Sequence, residues 1–133
     1  MFKLYFDGAS RGNPGPASYG GVIYKPDGDI LLTYKKAIGK QTNNVAEYLG
    51  LIVGLRHCNH KEINNVIIFG DSNLVIKQSQ GEWKVKNENM KKLHAEVKAC
   101  LKHIDNYSLN HVYRKDNKVA DKLANEALDS YPH

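Results

Sequence analysis

The chain has 133 residues, 41% apolar and 25% charged, a balance that excludes a disordered or membrane-embedded chain and fits one globular domain spanning residues 1–133. Lys plus Arg number 19 against 14 for Asp plus Glu, and the net charge of +5 favours a polyanionic partner. The two cysteines, Cys58 and Cys100, form no CxxC pair, which argues against a zinc site or disulfide framework and for reduced thiols.

The N-terminal stretch "MFKLYFDGAS" reads directly into a strand, without the apolar h-region of a signal peptide or the Arg-rich pattern of a transit sequence. No apolar run approaches the ~18 residues of a membrane span, so a cytoplasmic protein with no membrane partner is expected. Phe2, Leu4 and Phe6 alternate with Lys3, Tyr5 and Asp7, the period-2 signature of a strand with two unlike faces. Turn chemistry fills "GASRGNPGPA". Two further strands, "SYGGVIYK" and "ILLTYKKAI", join at Asp27-Gly28, a hairpin signal.

Helical spacing of Val45, Ala46, Leu49, Ile52 and Val53 predicts a first helix from Val45 to Cys58, with Asn44 as N-cap. The short apolar run "NNVIIFG" predicts a central strand covered on both faces, delivering Asp71 at its C-terminal end. A short helix in "SNLVIKQSQ" follows, then a loop through Gly81 and Trp83, a basic helix from about Met90 to His103, and a last strand "YSLNHVYR". Val119, Ala120, Leu123, Ala124, Ala127 and Leu128 form the apolar stripe of a final helix with Asn117 as N-cap. The order β-β-β-α-β-α-α-β-α joins a hairpin half to a crossover half. An α/β fold follows, a mixed sheet with helices on both faces.

Four acids stand at strand ends or helix starts: Asp7, Glu47, Asp71 and Asp121. Brought together, they would raise one another's pKa and call for a hard divalent cation with oxygen ligands, Mg²⁺ first. Three of them also have a local explanation. Glu47 falls three residues after Asn44, as in a capping box; Asp71 before "SNLV" can cap a helix; Asp121 can complement a macrodipole. Asp7, closing a strand before a Gly-rich turn, gains little from local structure. Spacing alone does not bring the four together. The glycines of "GASRGNPG" match neither G-x-G-x-x-G nor a P-loop, and the histidines show no metal-ligand spacing.

Taken jointly, "DGASRGNPGPASYG", "TNNVAEY" opening a helix, "GDS" after a central strand and "R..N..AD.LA" at the last helix resemble type 1 ribonuclease H, from Asp7 to about Ala127. The resemblance implies the ribonuclease H-like fold, a five-stranded mixed sheet in the order 3-2-1-4-5. It also implies hydrolysis of the RNA strand of an RNA/DNA hybrid by two Mg²⁺ ions, with Mn²⁺ as a substitute, leaving 3′-hydroxyl and 5′-phosphate ends. By family position, Asp7 bridges both metals, Glu47 and Asp71 hold the leaving-group side and Asp121 the water side. Asn13, Asn44 and Asn73, with backbone around Gly8, Ala9 and Ser10, match positions that read the ribose 2′-OH across a wide minor groove. Thr42 and Asn43 match the helix start that grips substrate, Thr42 toward a DNA phosphate, and Asn117 completes the set of substrate-contacting positions.

Two departures from the family pattern stand out. The long basic insertion of many bacterial members is missing, since only "GEWKVKNEN" separates Gln80 from Met90, leaving Trp83, Lys84 and Lys86 as partial substitutes. Where the family often has a mobile loop histidine, "VYRKDNKVAD" presents Arg114, a cation that does not titrate near neutrality. The competing readings are a non-catalytic hybrid-binding module and a ribonuclease that also cuts double-stranded RNA. A monomer is expected.

Overall fold

The computed structural model describes residues 1–130. Strands β1 (Phe2–Ser10), β2 (Gly15–Tyr24) and β3 (Ile30–Gln41) run antiparallel in succession, and helix α1 (Asn43–His60) leads into β4 (Asn65–Gly70). Helices α2 (Asn73–Ser79) and α3 (Glu88–Leu101), strand β5 (Asn106–His111), a 3₁₀ turn (Arg114–Asp116) and α4 (Lys118–Asp129) complete it. The sheet order is β3-β2-β1-β4-β5, with β1, β4 and β5 parallel, as the family resemblance implied.

The alternation read in β1 sets the two layers. Leu4 and Phe6 are fully buried in the cluster that holds Ile52, Leu55 and Ile68, under α1, against which α3 packs in turn. The opposite face carries Tyr5, and there α4 packs chiefly on β2. Small residues permit that contact: Ala120 and Ala124 are fully buried, and the Ser18 hydroxyl donates to the Ala124 carbonyl at 2.5 Å. Gly8 permits close packing on the other side, where a Cβ would strike the backbone of Ala46 and Glu47.

Local details differ from the sequence expectations in physically clear ways. The N-cap of α1 is Thr42, whose hydroxyl accepts from the Val45 N–H at 3.3 Å; Asn44 lies inside the helix. The hairpin turn, by contrast, forms where Asp27-Gly28 signalled it, spanning Lys25 to Asp29 around Gly28 at φ +95° and closed by Gly28 N–H to Lys25 O (2.9 Å). Asn87 caps α3, which starts and ends about two residues earlier than the apolar pattern suggested. Strand β5 stops at His111, and the segment expected to continue as strand to Arg114 leaves the sheet.

Candidate active site

Register brings the first acids together. Parallel pairing sets Phe6 opposite Gly70, so the residues that follow come side by side: Asp71 just past the end of β4, and Asp7 within β1, which does not close there as the sequence suggested but runs on to Ser10 paired with β2. Close approach of α1 over Gly8 lowers Glu47 onto the same point. Asp7, Glu47 and Asp71 each place a carboxylate oxygen within 4.8 Å of the others. Asp121, from the first turn of α4, lines the same cavity of about 420 Å³ and faces Asp7, though it is not one of the three acids within 4.8 Å of one another. Its Oδ1 accepts from Arg114 (3.4 Å) and from Asn125 Nδ2 (3.3 Å).

The local explanations for Glu47 and Asp71 fail on geometry. Glu47 is the fifth residue of α1 after its Thr42 cap, too far in for a capping box. Ser72, not Asp71, caps α2, its hydroxyl accepting from Val75 N–H at 3.3 Å. Neither carboxylate is used by a helix end.

The environment is costly for two of the acids. Asp7 and Glu47 are each 3% exposed. Burial pushes the Asp7 carboxyl up to about 7, with Asp71 nearby adding to the rise and the Gly8 N–H, donating at 2.8 Å, opposing it. Burial also holds Glu47 well above the usual carboxylate range, reinforced by the facing Asp7. Glu47 Oε2 is buried without any hydrogen-bond partner. A buried orphan oxygen in an all-oxygen donor set fits a hard divalent cation, which would satisfy the oxygen and offset the repulsion.

The remaining expected residues divide into two groups. Gly8, Ala9, Ser10, Asn43 and Arg114 line the cavity with the acids. Asn13 is outside the lining, but its Oδ1 accepts from the N–H of the lining residue Asn43 at 3.1 Å and ties the β1–β2 turn to the start of α1. Thr42 is committed to capping and Asn44 is half-buried in the first turn. Asn73, Trp83 and Lys86 are exposed and lie outside the cavity lining; Trp83 is 45% exposed. The loop carrying Trp83 is anchored by Gln78, whose Nε2 donates to the Lys84 carbonyl at 3.4 Å. Asn117 also lies outside this lining. It occupies the N-cap position of α4 without a side-chain cap bond, and its buried Nδ2 donates instead to the Phe6 carbonyl (2.9 Å). That bond fixes the start of α4 to the strand bearing Asp7.

The cavity also takes Arg11, His111, Val112, Tyr113 and Asn125, none of which stood out in the sequence. Asn125 was accessible to reasoning, being four residues after Asp121 on one helix face. His111 and Tyr113 carried no such signal, because their place at the cavity depends on β5 ending early. Their rings pack edge to face at 5.8 Å, and Tyr113 is 70% exposed.

The family model described as "Reverse transcriptase-like" matches residues 5–127. Ribonuclease HI of Halobacterium salinarum is 43% identical over 125 residues, covering 94% of this chain and 63% of that protein. The crystal structure of its RNase H1 superposes with a TM-score of 0.94 at 42% identity, covering 98% of both chains. The Bifunctional protein Rv2228c of Mycobacterium tuberculosis is 43% identical over 125 residues, 93% of this chain and 34% of that protein. The chain thus spans about a third of the mycobacterial relative and less than two thirds of the halobacterial one. LC11-RNase H1, solved in complex with an RNA/DNA hybrid, has a TM-score of 0.91 at 36% identity over 97% of each chain. Family members depend on divalent metal, in keeping with the acidic cluster. With sequence and fold shared across nearly its whole length, the chain belongs to the type 1 ribonuclease H family.

Proposed function

We propose that this protein is an endoribonuclease that hydrolyses the RNA strand of RNA/DNA hybrids, leaving 3′-hydroxyl and 5′-phosphate ends. The observation that carries this reading is the triad of Asp7, Glu47 and Asp71, with its partnerless buried oxygen, opening into a cavity that Asp121 completes. An acidic cluster facing a polyanion disfavours a pure binding module, since without cations it repels phosphate.

Asp7, Glu47 and Asp71 would hold the divalent cations, with Asp121 at the outer edge, and Mg²⁺ is the expected ion, with Mn²⁺ able to replace it. When bound, a pair of such ions supplies an activated water on one side of the scissile phosphate and neutralises charge on the departing 3′ oxygen on the other. The chain's own groups do the rest. The Gly8 N–H donates to Asp7 Oδ1, holding that carboxylate with one oxygen engaged. Arg114, exposed beside Asp121, presents a fixed positive charge at the mouth, where the product phosphate must leave.

In this reading Asn13, joined to the start of α1, and the backbone of Gly8, Ala9 and Ser10 meet a ribose 2′-OH together with Asn44 and Asn73, and Asn43 grips substrate beside them; the Asn13–Asn43 bond and the shared cavity lining support it. Thr42, at the α1 N-terminus, offers its hydroxyl to a DNA phosphate. Trp83 and Lys86 supply a stacking face and a charge at the distance of the α2–α3 loop. We place the activity in the cytoplasm, where free thiols such as Cys58 and Cys100 stay reduced.

The test is cleavage of end-labelled substrates by purified protein with Mg²⁺ or Mn²⁺. RNA in a hybrid is cut and duplex DNA is spared; Asp7→Asn loses cleavage while retaining its circular dichroism spectrum. Full activity in that variant would overturn the proposal, and a parallel double-stranded RNA substrate decides whether specificity extends to that duplex.

A further inference from the structure

A second concavity, of about 390 Å³, lies on the α4 side of the sheet, separated from the carboxylate cavity by the first turn of α4. Its floor is aromatic. Tyr5 and Tyr24 meet edge to face at 5.8 Å, and Phe69 stacks beneath Tyr5 at 4.6 Å. Its rim is cationic: Lys3, Lys25, Lys115 and Lys118 line it, against Asp116 as the one acid in the lining. None of the four lysines is in an ion pair among the described residues.

The helix end in this wall is also unsatisfied. Lys118, Val119 and Ala120, the first three residues of α4, line the groove, and Asn117 gives them no side-chain cap because its amide is turned to Phe6. Their N–H groups therefore face an anion-binding geometry.

An aromatic floor, a lysine rim and free helix N–H groups together match one ligand chemistry, a base joined to a phosphate. A protein partner fits less well, since lysines are depleted at protein interfaces. The groove's place also selects the source. It begins at Tyr5, two residues down β1 from Asp7, roughly 7 Å at strand rise, so a strand leaving the carboxylate cavity over the α4 N-terminus reaches it within a few nucleotides.

We propose that this groove binds a nucleotide of the single-stranded segment that continues beyond a hybrid, with its base on Tyr5 and Tyr24 and its phosphate among Lys25, Lys118 and the α4 N-terminus. The site stands on its own residues and does not depend on the nuclease reading. It gives hybrids with overhangs an advantage over blunt ones.

The experiment is nitrogen-15 amide NMR of the full chain in chelator, titrated with a hexariboadenylate and separately with 5′-AMP, for wild type and for Lys25→Glu/Lys118→Glu. The hexanucleotide is expected to shift amides of residues 3–5, 24–28 and 118–120, with affinity roughly ten-fold weaker in the double variant, as reversing two phosphate-facing charges predicts. The same variant should cleave blunt hybrid at the wild-type rate and lose the lower KM that wild type shows on a hybrid with an overhang. Shifts confined to the carboxylate cavity, or unchanged affinity in the variant, would overturn the site. Loss of blunt-hybrid cleavage in the variant would overturn its separation from the main substrate surface, and 5′-AMP binding as tightly as the hexamer would overturn a strand as occupant. Failure of wild type to cut hybrid while the groove shifts persist would sink the nuclease reading alone.

Discussion

The acidic site has a buried half and an open half, and they are built on different principles. Asp7 and Glu47 are sealed between β1 and α1, with desolvated carboxyls and one oxygen that has no partner. Asp71 and Asp121 lie at the solvent side, half-exposed, and Asp121 is steadied by Arg114 and Asn125. The buried half is a liability for folding unless a cation satisfies it; the open half costs little and is adjustable. Stability has been given up at the point where divalent charge is needed, a trade expected of functional sites.

The largest effect should come from the buried half. Asp7→Asn is expected to cut RNA cleavage by about 10³-fold or more, the scale at which a preorganised electrostatic element acts, while raising the thermal stability of the metal-free protein. Loss of activity with loss of stability would instead make Asp7 a structural residue. A pH experiment sharpens the same contrast. The Asp7 pKa rises from 3.8 in the unfolded chain to about 7 in the fold. Between those values the folded state holds the extra proton, so metal-free stability falls as pH rises through this window and levels off above it. Glu47, shifted the same way, adds to the fall. Saturating Mg²⁺ should therefore raise the melting temperature more above pH 7 than at pH 5, and Asp7→Asn should flatten the difference. A metal effect that does not depend on pH would break the account of the buried half.

Gly8→Ala tests how α1 brings Glu47 in. The added methyl meets the backbone of Ala46 and Glu47, so denaturant unfolding should show a loss of about 1–3 kcal/mol, typical of overpacking, together with reduced cleavage. Thr42→Ala removes the α1 cap and should cost about 1 kcal/mol by the same measurement. The smallest change belongs to the open half. Arg114 is mostly exposed and 3.4 Å from Asp121, so Arg114→Ala should leave stability within about 0.5 kcal/mol and act on turnover.

Much of the fold was legible because it rests on short-range pattern: alternation in β1, helical spacing from Val45, the stripe from Val119 to Leu128. What local pattern could not decide was a choice among equivalents. "TNNV" offers three consecutive residues able to cap a helix, and the structure uses Thr42, with the Asn43 N–H taken by Asn13 from a turn thirty residues away. The meeting of Asp7 with Asp71 depends on the parallel register of β1 with β4, a pairing between residues about sixty apart that no local signal encodes. Family resemblance supplied that convergence. The positions of Tyr113 and His111 at the cavity were hidden for a related reason, since β5 stops where its partner β4 ends at Gly70 rather than where its own apolar pattern fades.

The central claim, that the buried carboxylates exist to hold divalent charge for RNA cleavage, is tested most directly by the initial rate on a labelled RNA/DNA hybrid as Mg²⁺ is added back to chelated wild-type protein. The account predicts no cleavage in chelator and a saturable rise with Mg²⁺. Cleavage that persists in chelator, or a hybrid left intact at every Mg²⁺ concentration, would contradict it.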